Sequence, residues 1–305
     1  MKIRVEQDEL KKAVGWAART LPSRPQTQLH AGIRIEAGTD QIHLTTFDSE
    51  TATRADIDAV IDEPGVVIVS GRLLADISKE LPRQPVELSL DGSKLAIRCG
   101  RTHFALPTLA LDQSAELPQM PEHRGEVDAD KFVDAITQVH IAASKDDLLP
   151  PLTGIRVELS ESHTTLVAPD RYRLAIREVE WRPAGFTENL SALVKARQLG
   201  DLVHCLDHFD TVRVALGDSA EGRIGFAVSG RQLITRVMHG DFPTYRALLP
   251  DSASTTVTIS PEELKAAVKR MKIIVTDRNR IELKFSDGEV TLTAAGNDDA
   301  SADES

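Results

Sequence analysis

IRVEQDELKKAV at residues 3–14, GEVDADKFVDAI at 125–136 and VTISPEELKAAV at 257–268 carry one pattern three times. In each, a β-branched residue (Val5, Val127, Ile259) closes a short run, and a polar or acidic residue follows. Apolar residues then recur at three- and four-residue spacing, as in Leu264, Ala267, Val268 and Met271. That order reads as strand, cap and helix. The anchors lie 122 and 132 residues apart, so the sequence predicts successive copies of one module rather than unrelated domains.

A second anchor keeps the register. GRLLADISKEL from Gly71 and KARQLGDLVHCL from Lys195 are amphipathic helices that follow the apolar strands VVIVS and LSALV. A third is the Leu-Pro pair closing each of the first two units, at Leu117-Pro118 and Leu249-Pro250. Between the anchors run short alternating segments, among them IRIEA, QIHLTTF, TATRADID, VELSL and KLAIRC, then IRVEL, TTLVA, RLAIREV, TVRVAL, IGFAV and LITRVM. Turn residues such as Asp91-Gly92 and Ser229-Gly230 separate them. Period-two alternation of this kind marks half-buried antiparallel strands. The expected fold class is therefore α+β: antiparallel sheet with two helices per module, two full modules at 1–121 and 122–251, and a partial third at 252–305. The third offers a strand, a helix from Pro261 to about Ile273, and the strands RIELKFS and EVTLTA, then an acidic stretch, GNDDASADES, expected as an exposed loop or tail.

Composition narrows the class. With 305 residues, 41% apolar and 27% charged, the chain is globular and multi-domain. Its start lacks an apolar leader and no later run suits a membrane helix, which points to a cytoplasmic protein with no membrane partner. Cys99 and Cys205 stand far apart, so neither a disulfide framework nor a zinc site is expected. The net charge of −11 weighs against nucleic acid unless the basic residues are concentrated on one surface.

Six segments carry a resemblance: WAARTLPSRP (16–25), VSGRLLADISKELP (69–82), GRTHFALPTL (100–109), LPPLTGIRVEL (149–159), LVAPDRYRLAIREVEW (166–181) and MHGDFPTYRALLP (238–250). In order and spacing the chain resembles the bacterial DNA polymerase III β sliding clamps, most of all actinobacterial ones. The resemblance implies three similar domains per subunit and a head-to-tail homodimeric ring around duplex DNA. It also implies sequence-independent contact with that DNA, and partnership with the polymerase III catalytic subunit, the clamp loader and other proteins bearing a clamp-binding motif. No cofactor, metal or catalytic centre is implied.

The same resemblance assigns residues. DNA contact falls to Arg24 and to cations on the module helices: Arg72, Lys195, Arg197, Lys265 and Lys269. Lys265, Lys269 and Lys272 form one helical stripe by their spacing alone. A pocket for extended partner peptides falls to Leu152, Asp170, Arg171, Tyr172, Arg173, Leu174, Pro243 and Leu248, with Arg173 as polar anchor. Pro169 stands where the family usually has a threonine. The subunit interface falls to Phe104 and Leu106 on one side, and to Ile273 and Ile274 on the other. The short third unit predicts either impaired ring closure or one part of a longer clamp.

Two other readings compete with this one. An enzyme would have to start from His204, Cys205, Asp207 and His208, whose spacing spreads them around one helix, and no Walker, GxGxxG, HExxH or GxSxG motif occurs. A diverged paralogue, working through partner or antibiotic binding rather than processive replication, would share the fold and differ at the pocket.

Overall fold

The computed structural model describes residues 1–22, 27, 29–110, 118–186, 188–203, 206, 211–217, 222–275, 280–286, 288–295 and 301–304. It divides into two compact units, Met1–Pro243 and Thr244–Ser305. The first contains two copies of the expected module.

In the first copy, β1 (Lys2–Val5) leads into α1 (Gln7–Arg19). Then come β2 (Gly32–Ala37), β3 (Gln41–Phe47), β4 (Thr51–Asp58), β5 (Val60–Glu63) and β6 (Gly65–Ser70). The copy ends with α2 (Gly71–Glu80), β7 (Val86–Asp91), β8 (Lys94–Cys99) and β9 (Thr102–Leu109). All pairings are antiparallel: β1 lies between β5 and β7, and β7–β8–β9 continue outward. A second set runs β6–β2–β3–β4. Alternation puts Ile33, Ile35, Leu44, Val67, Val69, Leu88 and Ile97 inside, against Leu10, Val14 and Ala17 of α1 and Leu74 of α2. Each such side chain contributes about 1.5–3 kcal/mol relative to exposure. Gly71 lets α2 start flush on the sheet, because a Cβ there would meet Leu21 Cδ1 at 2.5 Å and Ile33 Cγ1 at 2.9 Å.

The second copy repeats the plan. It runs β10 (His123–Asp128), α3 (Ala129–His140), a 3-10 turn at Pro150–Thr153, β11 (Gly154–Leu159), β12 (His163–Pro169) and β13 (Leu174–Pro183). It continues with β14 (Leu190–Lys195), α4 (Ala196–Val203), β15 (Thr211–Leu216), β16 (Arg223–Val228) and β17 (Arg231–Arg236). One long strand, β13, does the work of β4 and β5 together, pairing with β12 along its length and with β10 at its far end. Asp128 caps α3, its carboxylate accepting from Lys131 N at 3.0 Å. Phe132 and Phe226 meet in this core with ring centroids 5.7 Å apart.

The two copies are joined edge to edge. β17 pairs with β4 from Arg231↔Ala55 to Thr235↔Thr51, so the sheet runs on without a break between modules. A polar seam sits beside this joint. Gln198 donates to Thr51 Oγ1 at 2.5 Å and accepts from Thr235 Oγ1 at 2.9 Å, and Lys195 pairs with Glu50 at 2.5 Å.

The second unit differs from expectation in two places. Residues 257–259, expected as a strand, belong to no sheet, with Val257 and Ile259 exposed. In the full modules, the leading strand is held between two later strands, and among the described residues of this unit neither counterpart occurs. The acidic stretch, expected as a loop or tail, supplies a strand instead. β18 (Ile281–Ser286), β19 (Glu289–Ala295) and β20 (Ser301–Glu304) form a three-stranded sheet. Arg270 of α5 (Pro261–Met271) holds Glu304 through Nε at 2.8 Å and through Nη2, which pins β20 against the helix. α5 starts on a Ser260 cap with Pro261 first and acids in its first turn, and ends with Lys269 and Arg270, an arrangement matched to the helix dipole. It buries Ala267 and Met271 on Leu292 and Ala294. Leu283 and Phe285, opposite Leu292 and Val290 in the register and so on the same face of the sheet, stay 39% and 50% exposed.

Candidate nucleic-acid interface and partner pocket

The helices place the candidate DNA-contacting cations in different situations. Lys265 and Lys269 project from the exposed face of α5, opposite Ala267 and Met271, and neither has an ion-pair partner among the described residues. Arg197 is 80% exposed on α4, with a long 3.8 Å approach to Asp201. Arg72, exposed on α2, donates to Pro22 O at 2.9 Å. Lys195 belongs to the module seam, where Glu50 takes its charge. Arg24 lies outside the described residues, and so do His204, Cys205, Asp207 and His208. Among the described residues no cluster of acidic, histidine and cysteine side chains could hold a metal ion.

The pocket residues of the first unit gather on two loops. Leu152, half-buried, sits in the 3-10 turn before β11; Leu174, also half-buried, opens β13. Asp170, Arg171, Tyr172 and Arg173 form the β12–β13 turn. Its shape comes from Asp170, whose carboxylate accepts from Tyr172 N, Arg173 N and Arg173 Nε, each at 2.8 Å. Burial works to raise this carboxyl. The two backbone donors and the Arg173 guanidinium outweigh it and hold the group below the ordinary aspartate range. Arg173 is therefore already engaged, while Tyr172 stands 93% exposed. Pro169 is buried at the end of β12, opposite Leu174 in the register. Pro243 closes the first unit beside Phe242, which lies under the Arg156 guanidinium at 5.5 Å. Leu248 belongs to the second unit, where it is 69% exposed.

Of the interface residues, Phe104 is 37% and Ile273 82% exposed, and Ile274 packs against the small core of the second unit. Leu106 corrects the expectation. On β9 it alternates inward and is 2% exposed within the module core, so it supports the strand from behind and presents nothing to a partner.

Sequence reasoning missed Asp146 and Ser144. Asp146 joins the two pocket loops by accepting from Arg171 Nη2 at 2.8 Å, and no periodicity signals a partner 25 residues away. The Gln198–Thr51–Thr235 seam was equally silent, since its members come from both modules.

Three family models cover the chain in order: the N-terminal domain of the DNA polymerase III beta subunit over residues 1–121, its central domain over 126–244 and its C-terminal domain over 246–305. A beta sliding clamp from Streptomyces coelicolor is 44% identical over 304 residues, spanning 99% of this chain and 81% of the relative. One from Micrococcus luteus is 38% identical over 305 residues, spanning 100% of this chain and 98% of the relative. The crystal structure of the Bacillus subtilis DNA polymerase sliding clamp superposes with a TM-score of 0.90 at 23% identity, covering all of this chain and 83% of that one, a likeness of fold. With repeated modules, an edge-to-edge joint and matches along its whole length, the chain belongs to the DNA polymerase III beta subunit family, the beta sliding clamps.

Proposed function

We propose that this chain is a processivity factor. It encircles duplex DNA without reading its sequence, tethers the replicative polymerase and other motif-bearing partners, and works in the cytoplasm without catalysing a reaction of its own. The observation that carries the reading is the β17–β4 joint. It is heterologous: the last strand of one module pairs with the fourth strand of another, and such contacts build closed rings when their rotations sum to a full turn.

Both halves of the same joint are present elsewhere. Among the described residues, the first half of β9 pairs with β8 alone, and β20 occupies in the second unit the place that β4 holds in the first module. Ring closure by two copies then pairs β9 of one with β20 of the other, Phe104 meeting the partner copy's exposed residues after α5. Exposed lysines on α5 and Arg197 on α4 supply weak phosphate contacts compatible with sliding. Arg72 adds to them.

The test is primer extension on a singly primed circle with the polymerase, loader and this chain. Products many times longer than those made without the chain support the reading; unchanged product length contradicts it.

A further inference from the structure

The two most exposed large apolar side chains among the described residues, Tyr172 at 93% and Leu148 at 83%, stand on the two loops that flank the pocket leucines. Those loops carry one described ion pair between them: Arg171 Nη2 to Asp146 Oδ2 at 2.8 Å, with the side chains 52% and 41% exposed.

Asp146 organises its own loop at the same time. Its Oδ1 accepts from Leu148 N at 3.0 Å, its N–H donates to Ser144 Oγ at 3.1 Å, and Ser144 N donates to the carbonyl of the pocket residue Leu152 at 2.8 Å. On the facing loop, Asp170 fixes the backbone of Tyr172 and Arg173. Each loop is thus stiff in itself. Asp146 and Arg171 tie one loop to the other.

We propose that Asp146 is a positioning residue for partner capture: its ion pair with Arg171 clips the two pocket loops together, and so sets Leu148 and Tyr172 as an apolar extension of the groove between Leu152 and Leu174. The occupant is the same extended partner peptide, whose flanking apolar residue lies between Leu148 and Tyr172. This rests on the reading of the groove as a peptide site. The pair stays closed when the peptide is bound, and being half-exposed it contributes modestly and is screened by salt.

The test uses the full chain and a fluorescently labelled peptide carrying the polymerase's clamp-binding segment, with D146N, R171Q, the double variant and R171K. The carboxamide introduced by D146N keeps an acceptor for Leu148 N, so this variant removes the charge and leaves the loop folded. Each neutral single is expected to weaken binding about two- to fivefold. The double variant is expected to be no weaker than either single, because independent effects would add, and R171K should stay near wild type. In the same samples, amide exchange at Leu148 and Tyr172 should speed up in both singles without peptide. Wild-type affinity in both singles, additive losses in the double, or unchanged exchange overturns the clip. A wild-type chain that binds no peptide, yet shows the exchange pattern, sustains the clip and overturns the peptide reading instead.

Discussion

Asp170 shows how one side chain shapes a site. Its carboxylate accepts three hydrogen bonds from the turn that carries Tyr172 and Arg173, and these hold its pKa below the ordinary value despite the opposing effect of burial. A depressed folded-state pKa means that the ionised form stabilises the fold above the unfolded value of about 3.9, and that this contribution is lost as pH falls through the lower folded value. Urea titrations of wild type and Asp170→Asn should therefore show a stability gap that is constant from about pH 5 to 8 and closes below about pH 4. A gap that persists unchanged in acid would show that the charge is not what matters. Lys265 and Lys269 act differently, since neither has an ion-pair partner among the described residues. Replacing both with alanine should leave thermal stability within about 0.5 kcal/mol and lower the salt dependence of DNA retention by close to two counterions. An unchanged salt slope would remove α5 from the DNA-facing surface.

Among the elements, strands were legible and their company was not. TVRVAL, IRVEL and KLAIRC announced themselves by alternation, and the Asp128 and Ser260 caps sit where the pattern put them. What alternation could not tell is which edge finds a partner. Val257–Ile259 has strand composition but no neighbours to pair with among the described residues, whereas Ser301–Glu304, polar and acidic, becomes a strand because β19 and Arg270 receive it. Leu106 was misplaced for a related reason: the resemblance assigned it to the subunit interface with Phe104, while further along the same strand its side chain is covered by the module core.

β9 offers a sharp test of its edge. It leaves β8 through a two-residue turn, so Cys99 and Thr102 form the first hydrogen-bonded pair, and the N–H groups of His103 and Ala105 point away from β8 by alternation. Pro107 falls in the same outward phase, where a missing donor costs the β8 ladder nothing. Ala105→Pro should therefore leave the module folded and weaken association between copies at least about tenfold, the loss of one ladder bond plus distortion of the edge, as read by sedimentation. Equal association would exclude this edge from the ring joint.

For the whole molecule, the net charge of −11 and a role on DNA are reconciled by where the charges stand and by how the DNA is held. Exposed lysines cluster on α5, while many other cations are neutralised locally, as Lys195 is by Glu50 and Arg270 by Glu304. Retention by enclosure needs little affinity. The repeat of the module is what makes enclosure possible, because a joint like that of β17 with β4 can be reused between chains.

The most direct test of that claim is retention of this chain, with a clamp loader, on nicked circular DNA before and after the circle is cut. Enclosure predicts that the loaded chain stays on intact circles through a high-salt wash and is lost within minutes of linearisation. Equal retention on circular and linear DNA, or none on either, would contradict it.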